Sequence, residues 1–181
     1  GRAVENAILN GNSSAPSGLA DFAAEHVGGR RDISDGDLVS ATNLLNMRKE
    51  MGKYGLNPAD VTYIVSSASY YDLLSDSAFQ SLDEVGSDLA VRVTGTIGAV
   101  FGSPVVVSEE FPADNTAGNM AALAVYNRNY VIPRLRGVQV EQDYEVMNQR
   151  RVIVATQSLG FEEIVAGAGT DQPSVKIAFT A

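Results

Sequence analysis

The chain has 181 residues, 22 acidic and 13 basic for a net charge of −9, with 45% hydrophobic and 19% charged residues. That balance is globular, so disorder throughout is excluded, and the length suits one large or two small domains with a real core. Cysteine is absent, which excludes disulfides and thiolate metal sites and makes a reducing cytoplasm the simplest home; the acidic excess repels phosphate backbones and argues against a groove that grips nucleic acid.

The chain begins with Gly, as expected of a processed product or an excised fragment, and its start lacks the basic-then-apolar pattern of an export signal. Val4 to Leu9 reads as the last turns of a helix begun upstream, with Asn10 and Gly11 as its end. Turn-rich segments follow at Gly11 to Gly18 and Gly28 to Arg31. Ile33 to Gly55 predicts the best helix of the chain. Ser34 or Asp35 caps it, Asp37 suits its positive end, Leu44, Met47, Met51 and Tyr54 share one face, Lys49 and Lys53 sit near its negative end, and Gly55 stops it. Asn57 and Pro58 then turn the chain into Val61 to Val65, a β-branched and aromatic run that predicts a buried strand.

A short helix is expected at Ser69 to Leu74, capped by Ser69. Ser75 to Gly102 follows neither period. Leu89 to Val107 is the most membrane-like stretch, but Arg92, three glycines and Pro104 exclude a spanning helix, and no membrane partner is expected. Ser103 to Phe111 predicts a strand with Pro104 at its start, Phe111 to Met120 a polar loop, and Ala121 to Tyr126 a brief apolar strand. Beyond a Gly-rich bend at Gly167 and Gly169, Val175 to Phe179 predicts a further strand.

The longest stretch with a sustained two-residue rhythm is Arg136 to Gly160. Val138 and Val140 alternate with Gln139 and Glu141 in a first arm; in a second, Val152, Val154 and Thr156 face one way and Ile153, Ala155 and Gln157 the other. DYEVMNQ between them supplies a long tip without an Asn-Gly or Asp-Gly turn. A lone hairpin is marginal in water, so cover for its apolar face is expected from the Asp35 to Tyr54 helix. Arginines gather around it. Arg128, Arg134, Arg136, Arg150 and Arg151, with the acidic Glu141 and Asp143, are candidate subunit-interface residues, because arginine is enriched where protein surfaces meet.

Catalysis finds little support. His26 is the sole histidine, its neighbours offer no nucleophile and no G-x-S-x-G, and a surface role suits it better than a catalytic one. Asp32, Asp35 and Asp37 lack the spacing of a calcium loop and read as helix-capping residues. Glu109 with Glu110, and Glu162 with Glu163, point to opposite faces if on strands. Gly95, Gly98 and Gly102 form no dinucleotide fingerprint and no Walker motif occurs, so no catalytic residue, metal or cofactor is expected.

Four stretches taken in order carry a resemblance: ENAILNG at Glu5 to Gly11, LNPADVTYIV at Leu56 to Val65, FGSPVVVSEEFP at Phe101 to Pro112, and RGVQVEQDYEVMNQRRVIVATQSLGFEEI at Arg136 to Ile164. The chain resembles the tailed-phage major capsid proteins, whose shell fold is named after the Hong Kong ninety-seven phage. The resemblance implies an α+β fold with a peripheral domain at 1–62 and 127–181, where a helix packs on a long antiparallel β-hairpin. An axial domain at 63–126 would hold a mixed sheet with flanking helices.

It also implies a non-enzymatic subunit that self-assembles into an icosahedral head, partnered by copies of itself in pentamers and hexamers, with scaffold and portal proteins as further partners. The protein would reside in the virion, after assembly in the host cytoplasm. The family's N-terminal arm and extended hairpin have no counterpart here. Asn148 or Gln149 stands near the family's cross-link acceptor, but Thr156 and Gln157 occupy the region of the assisting glutamate, so no covalent cross-linking is expected. An encapsulin-like compartment shell is the alternative within the same fold. From another class, the chain would be a β-rich ligand-binding module with a pocket along Gly95 to Val107.

Overall fold

The computed structural model describes residues 2–11, 18–25, 30–34, 36–77, 98–111 and 117–180. In chain order these give helices α1 (Arg2–Asn10), α2 (Leu19–Glu25), α3 (Ala41–Glu50) and α4 (Ser67–Ser75). The strands are β1 (Arg30–Ser34), β2 (Val61–Val65), β3 (Ala99–Val100), β4 (Ser103–Val107), β5 (Met120–Tyr126), β6 (Tyr130–Val131), β7 (Arg134–Glu145), β8 (Arg150–Leu159), β9 (Glu162–Glu163) and β10 (Ser174–Thr180). His26, Asp35, most of the Ser75 to Gly102 stretch and part of the 111–120 loop lie outside the described residues.

A six-stranded mixed sheet, ordered β1-β10-β5-β2-β4-β3, forms the body. Alternation sorts its side chains between two cores. Val61, Tyr63 and Val65 of β2, Ala122 and Ala124 of β5, and Val175, Ile177 and Phe179 of β10 point to one face, where Leu44, Met47 and Met51 of the α3 segment and Leu73 of α4 cover them. Leu123 and Val125 point to the other, under Leu9, Leu19, Phe22 and Phe161. β5, MAALAVY, is apolar throughout because both of its faces are covered. Each large side chain removed from water here contributes about 2 kcal/mol.

The face predicted for the long helix is the face it buries, but its ends differ. The helix starts at Ala41 and not at Ile33, because residues 30–34 pair in parallel with Lys176 to Thr180 as an edge strand. Its cap is Ser40, whose hydroxyl accepts from Asn43 N at 3.3 Å, and Asp76, just past the end of α4, accepts from Ala41 N at 2.7 Å. Arg48 then closes the far end by donating to the carbonyls of Gly55, Leu56 and Phe101. α4 likewise starts earlier than expected, capped by Ser66, which accepts from Ser69 N at 3.0 Å. β4 ends at Val107, four residues short of the predicted strand, because Ser108 turns away to bond Glu5 and Glu110 N.

The expected packing of the α3 helix on the hairpin is not what the chain does. α3 lies on β10 and β5, so the sheet takes the cover that the hairpin was expected to need. The division into 1–62 with 127–181 and 63–126 also cuts across the sheet. Residue 62 falls inside β2, and β1 and β10, placed with the peripheral segments, share one sheet with β4 and β5.

α1 is fastened by a polar stripe at four-residue spacing. Arg2 Nε and Asn6 Nδ2 each donate to the Glu110 carboxylate at 2.9 Å, and Asn10 Nδ2 donates to the Glu110 carbonyl at 3.1 Å. The bonds from Asn6 and Arg2 hold the Glu110 carboxyl below its ordinary range.

Where the chain leaves the body for the hairpin, Tyr130 stacks on Phe161 at 5.5 Å between ring centroids. Asn129 there donates to Val165 O and accepts from Val165 N. Burial pushes the Tyr130 phenol up to about 12 from 10.0. Between those values the unfolded chain ionises first, so the native state holds the extra proton and stability falls as pH rises. The contribution is intact below about pH 10 and is lost by about pH 12, a decline on the order of 2 kcal/mol. Tyr130→Phe is expected to remove that part of the alkaline decline in urea midpoints measured from pH 9 to 12. An unchanged slope would refute it.

Candidate subunit interface

β7 and β8 pair with one another and, among the described residues, with no other strand. Their register runs Gln139↔Thr156, Val140↔Ala155, Glu141↔Val154, Gln142↔Ile153, Asp143↔Val152, Tyr144↔Arg151 and Glu145↔Arg150. The strands continue further than the tip predicted from DYEVMNQ. The turn itself is Val146 to Gln149, and Gln149 takes φ 46° to close it. Register shifts between Arg134 and Gln139 mark bulges near the root, where Gly137 falls.

Residues opposite one another in an antiparallel pair share a face. One face therefore carries Gln139, Glu141, Asp143 and Glu145 beside Thr156, Val154, Val152 and Arg150. The other carries Val140, Gln142 and Tyr144 beside Ala155, Ile153 and Arg151. Neither face is purely apolar, because carboxylates line the β7 side of the first and the second carries Gln142 and Arg151. Both faces are open. Ile153 is 67% exposed, Val140 62%, and Val154 47%, while Leu135 at the root and Met147 at the tip reach 88% and 95%.

The predicted interface residues divide by what holds them. Arg128 lies off the hairpin and is ion-paired to Asp60 Oδ1 at 2.9 Å, which ties it to the body. Arg136 donates to Thr156 Oγ1 at 3.0 Å, and Arg150 is paired with Glu145, which also accepts from Asn148. Asp143 accepts from Tyr144 N beside it. Arg134, Glu141 and Arg151 form no ion pair among the described residues. The structure thus brings Arg134, Arg136, Glu141, Asp143, Arg150 and Arg151 onto one ribbon and leaves Arg128 apart.

One surface was missed in the sequence. Val4, Ile8, Leu9 and Leu19 of α1 and α2 line an apolar groove of about 380 Å³ with Ile64 and Val106. The VVV run at 105–107 predicts a strand, but not that β4 lies near the sheet edge, and only the pairing with β2 and β3 reveals it. Among the described residues no helix is long and apolar enough to cross a membrane.

No family model matches the chain. It is 36% identical over 167 residues to the major capsid protein of Escherichia phage T5, a match that takes in 90% of the chain. The chain is thus similar in sequence, over most of its length, to a tailed-phage major capsid protein. Solved shells share the fold at much lower identity. Microbacterium phage Oxtober96 matches with a TM-score of 0.68 at 14% identity, over 98% of this chain and 61% of that one. The capsid of an empty GTA particle matches with a TM-score of 0.67 at 17% identity, over 99% and 62%. The chain spans 36% of the length of the phage T5 relative. The expected α+β capsid fold is therefore present, although its long helix lies on the sheet and leaves the ribbon bare.

Proposed function

We propose that the protein is a structural subunit of a tailed-phage head shell, assembling with copies of itself as pentamers and hexamers and residing in the virion, with no catalytic role. Host cytoplasm is the place of assembly, and scaffold and portal proteins are the further partners. The observation that carries this reading is the β7–β8 ribbon, a two-stranded sheet with valine, isoleucine and tyrosine exposed across its two faces and nothing among the described residues to cover them. An isolated ribbon of this kind is marginal in water and is an open template for association. Repeated, modest contacts around closed symmetry supply stability that no single patch needs to supply. The likeness to the phage T5 major capsid protein supports the same conclusion.

The test is expression of the complete protein alone, followed by electron microscopy and sedimentation. Closed particles are the expected product. A species that stays monomeric across a wide concentration range, with and without co-expressed scaffold, would refute the proposal.

A further inference from the structure

The two faces of the ribbon differ in charge as well as in composition. On the first, Glu141, Asp143 and Glu145 line one arm, Arg150 lies opposite them, and Arg136 reaches Thr156 at the root end of the same face. Arg150 is already engaged with Glu145, so Glu141 and Asp143 set the sign of that face, with Val152 and Val154 beside them. The second face has no carboxylate between residues 139 and 156. Its one charge is Arg151, set among Val140, Tyr144, Ile153 and Ala155. Arg151 and Glu141 form no ion pair among the described residues, and the aliphatic residues around them are exposed. A ribbon laid on a second ribbon by like faces puts carboxylates against carboxylates or Arg151 against Arg151. Laid by unlike faces it matches a short acidic row to a guanidinium and covers aliphatic surface on both sides.

We propose that the valine and carboxylate face of one copy's ribbon docks on the isoleucine and Arg151 face of a second copy's ribbon. This inference rests on the shell reading and adds the orientation. The contact is heterologous: the two copies use different surfaces, each copy keeps one face free, and the interaction propagates in one direction around a ring. It also explains why neither face is purely apolar. A uniformly apolar ribbon would pair in either orientation, whereas opposite signs on the two faces admit one.

Charge reversal in the complete protein tests this, because the ribbon does not support the core and the variants retain their fold. One variant carries Glu141→Arg with Asp143→Arg, so both of its faces are basic. A second carries Arg151→Glu, so both of its faces are acidic. Each alone is expected to raise the critical concentration for particle formation about ten-fold or more. An equimolar mixture is expected to assemble better than either variant alone, since the basic first face of one variant meets the acidic second face of the other at every contact of an alternating six-membered ring and at all but one contact of a five-membered ring. The rescue also shows that both variants are folded.

The inference is overturned if either variant assembles like the parent, or if the mixture assembles no better than its components; in those cases the shell reading stands on the parent's particles. Absence of particles from the parent removes the shell reading and this inference with it.

Discussion

Gly52→Ala is expected to lower the melting midpoint by about 10 °C. Gly52 follows α3 with φ 55°, a region in which an L side chain costs about 1 kcal/mol. The larger effect is collision. A Cβ there falls 2.3 Å from Asp171 Oδ1 and 2.4 Å from the Thr170 carbonyl oxygen. Asp171 cannot simply retreat: its carboxylate accepts from Lys53 N at 3.0 Å and faces Lys53 Nζ at 3.6 Å. Its backbone is also held in a tight turn with Ala168.

Shifting that turn disturbs the buried Gln172 and Ser174 that lead into β10. The sum is about 4 kcal/mol, and about 2–4 °C is lost per kcal/mol in a chain of this size. Gly169→Ala provides the control. Its φ is 58° but nothing lies within 4 Å of an added Cβ, so only the conformational cost of about 1 kcal/mol is expected. Equal midpoints for the two variants would show that the approach of Asp171 to Gly52 is not the constraint argued here.

The second large effect falls on assembly and leaves folding nearly untouched. Replacing residues 136–158 with a short Gly-rich turn is expected to abolish particle formation while shifting the melting midpoint by no more than about 4 °C. Among the described residues the ribbon pairs only with itself, and its neck is closed below the cut by Gly160 N donating to Pro133 O at 2.8 Å. Shortening a loop costs little entropy and can recover some. The body keeps both of its cores, since none of the residues in them comes from 134–159. Particles from the shortened protein would sink the ribbon's role in association. A collapse of the midpoint would instead show that the ribbon supports the body.

Much of this was legible in the residues themselves. The two-residue rhythm of Val138 to Gln157 placed both arms of the ribbon, and VTYIV at Val61 to Val65 was read to its end residues because burial and β-branching agree there. Leu44, Met47 and Met51 were assigned to one helix face by spacing alone. What stayed hidden depends on partners remote in sequence. Residues 30–34 become a strand through Lys176 to Thr180, and Val39 N and Ala41 N are bonded by Asp72 of α4 and Asp76 just past its end, which is why the helix begins where it does. For the interface, the arginine cluster was visible but its sorting was not. Arg128 belongs to Asp60, and the separation of Glu141 and Asp143 from Arg151 onto opposite faces follows from a cross-strand register that bulges near Gly137 reset.

The order of the sheet has a bearing on timing. β10 sits between β1 and β5, yet it follows the ribbon along the chain. During synthesis, residues 134–159 therefore emerge while the middle of the sheet is still an empty slot, and edges of β1 and β5 stand unpaired until residues 174–180 arrive. A nascent chain exposes its sticky projection before it has a finished platform to hold it. Productive encounters between copies thus wait for the insertion of one late strand, which acts as a built-in delay between translation and association.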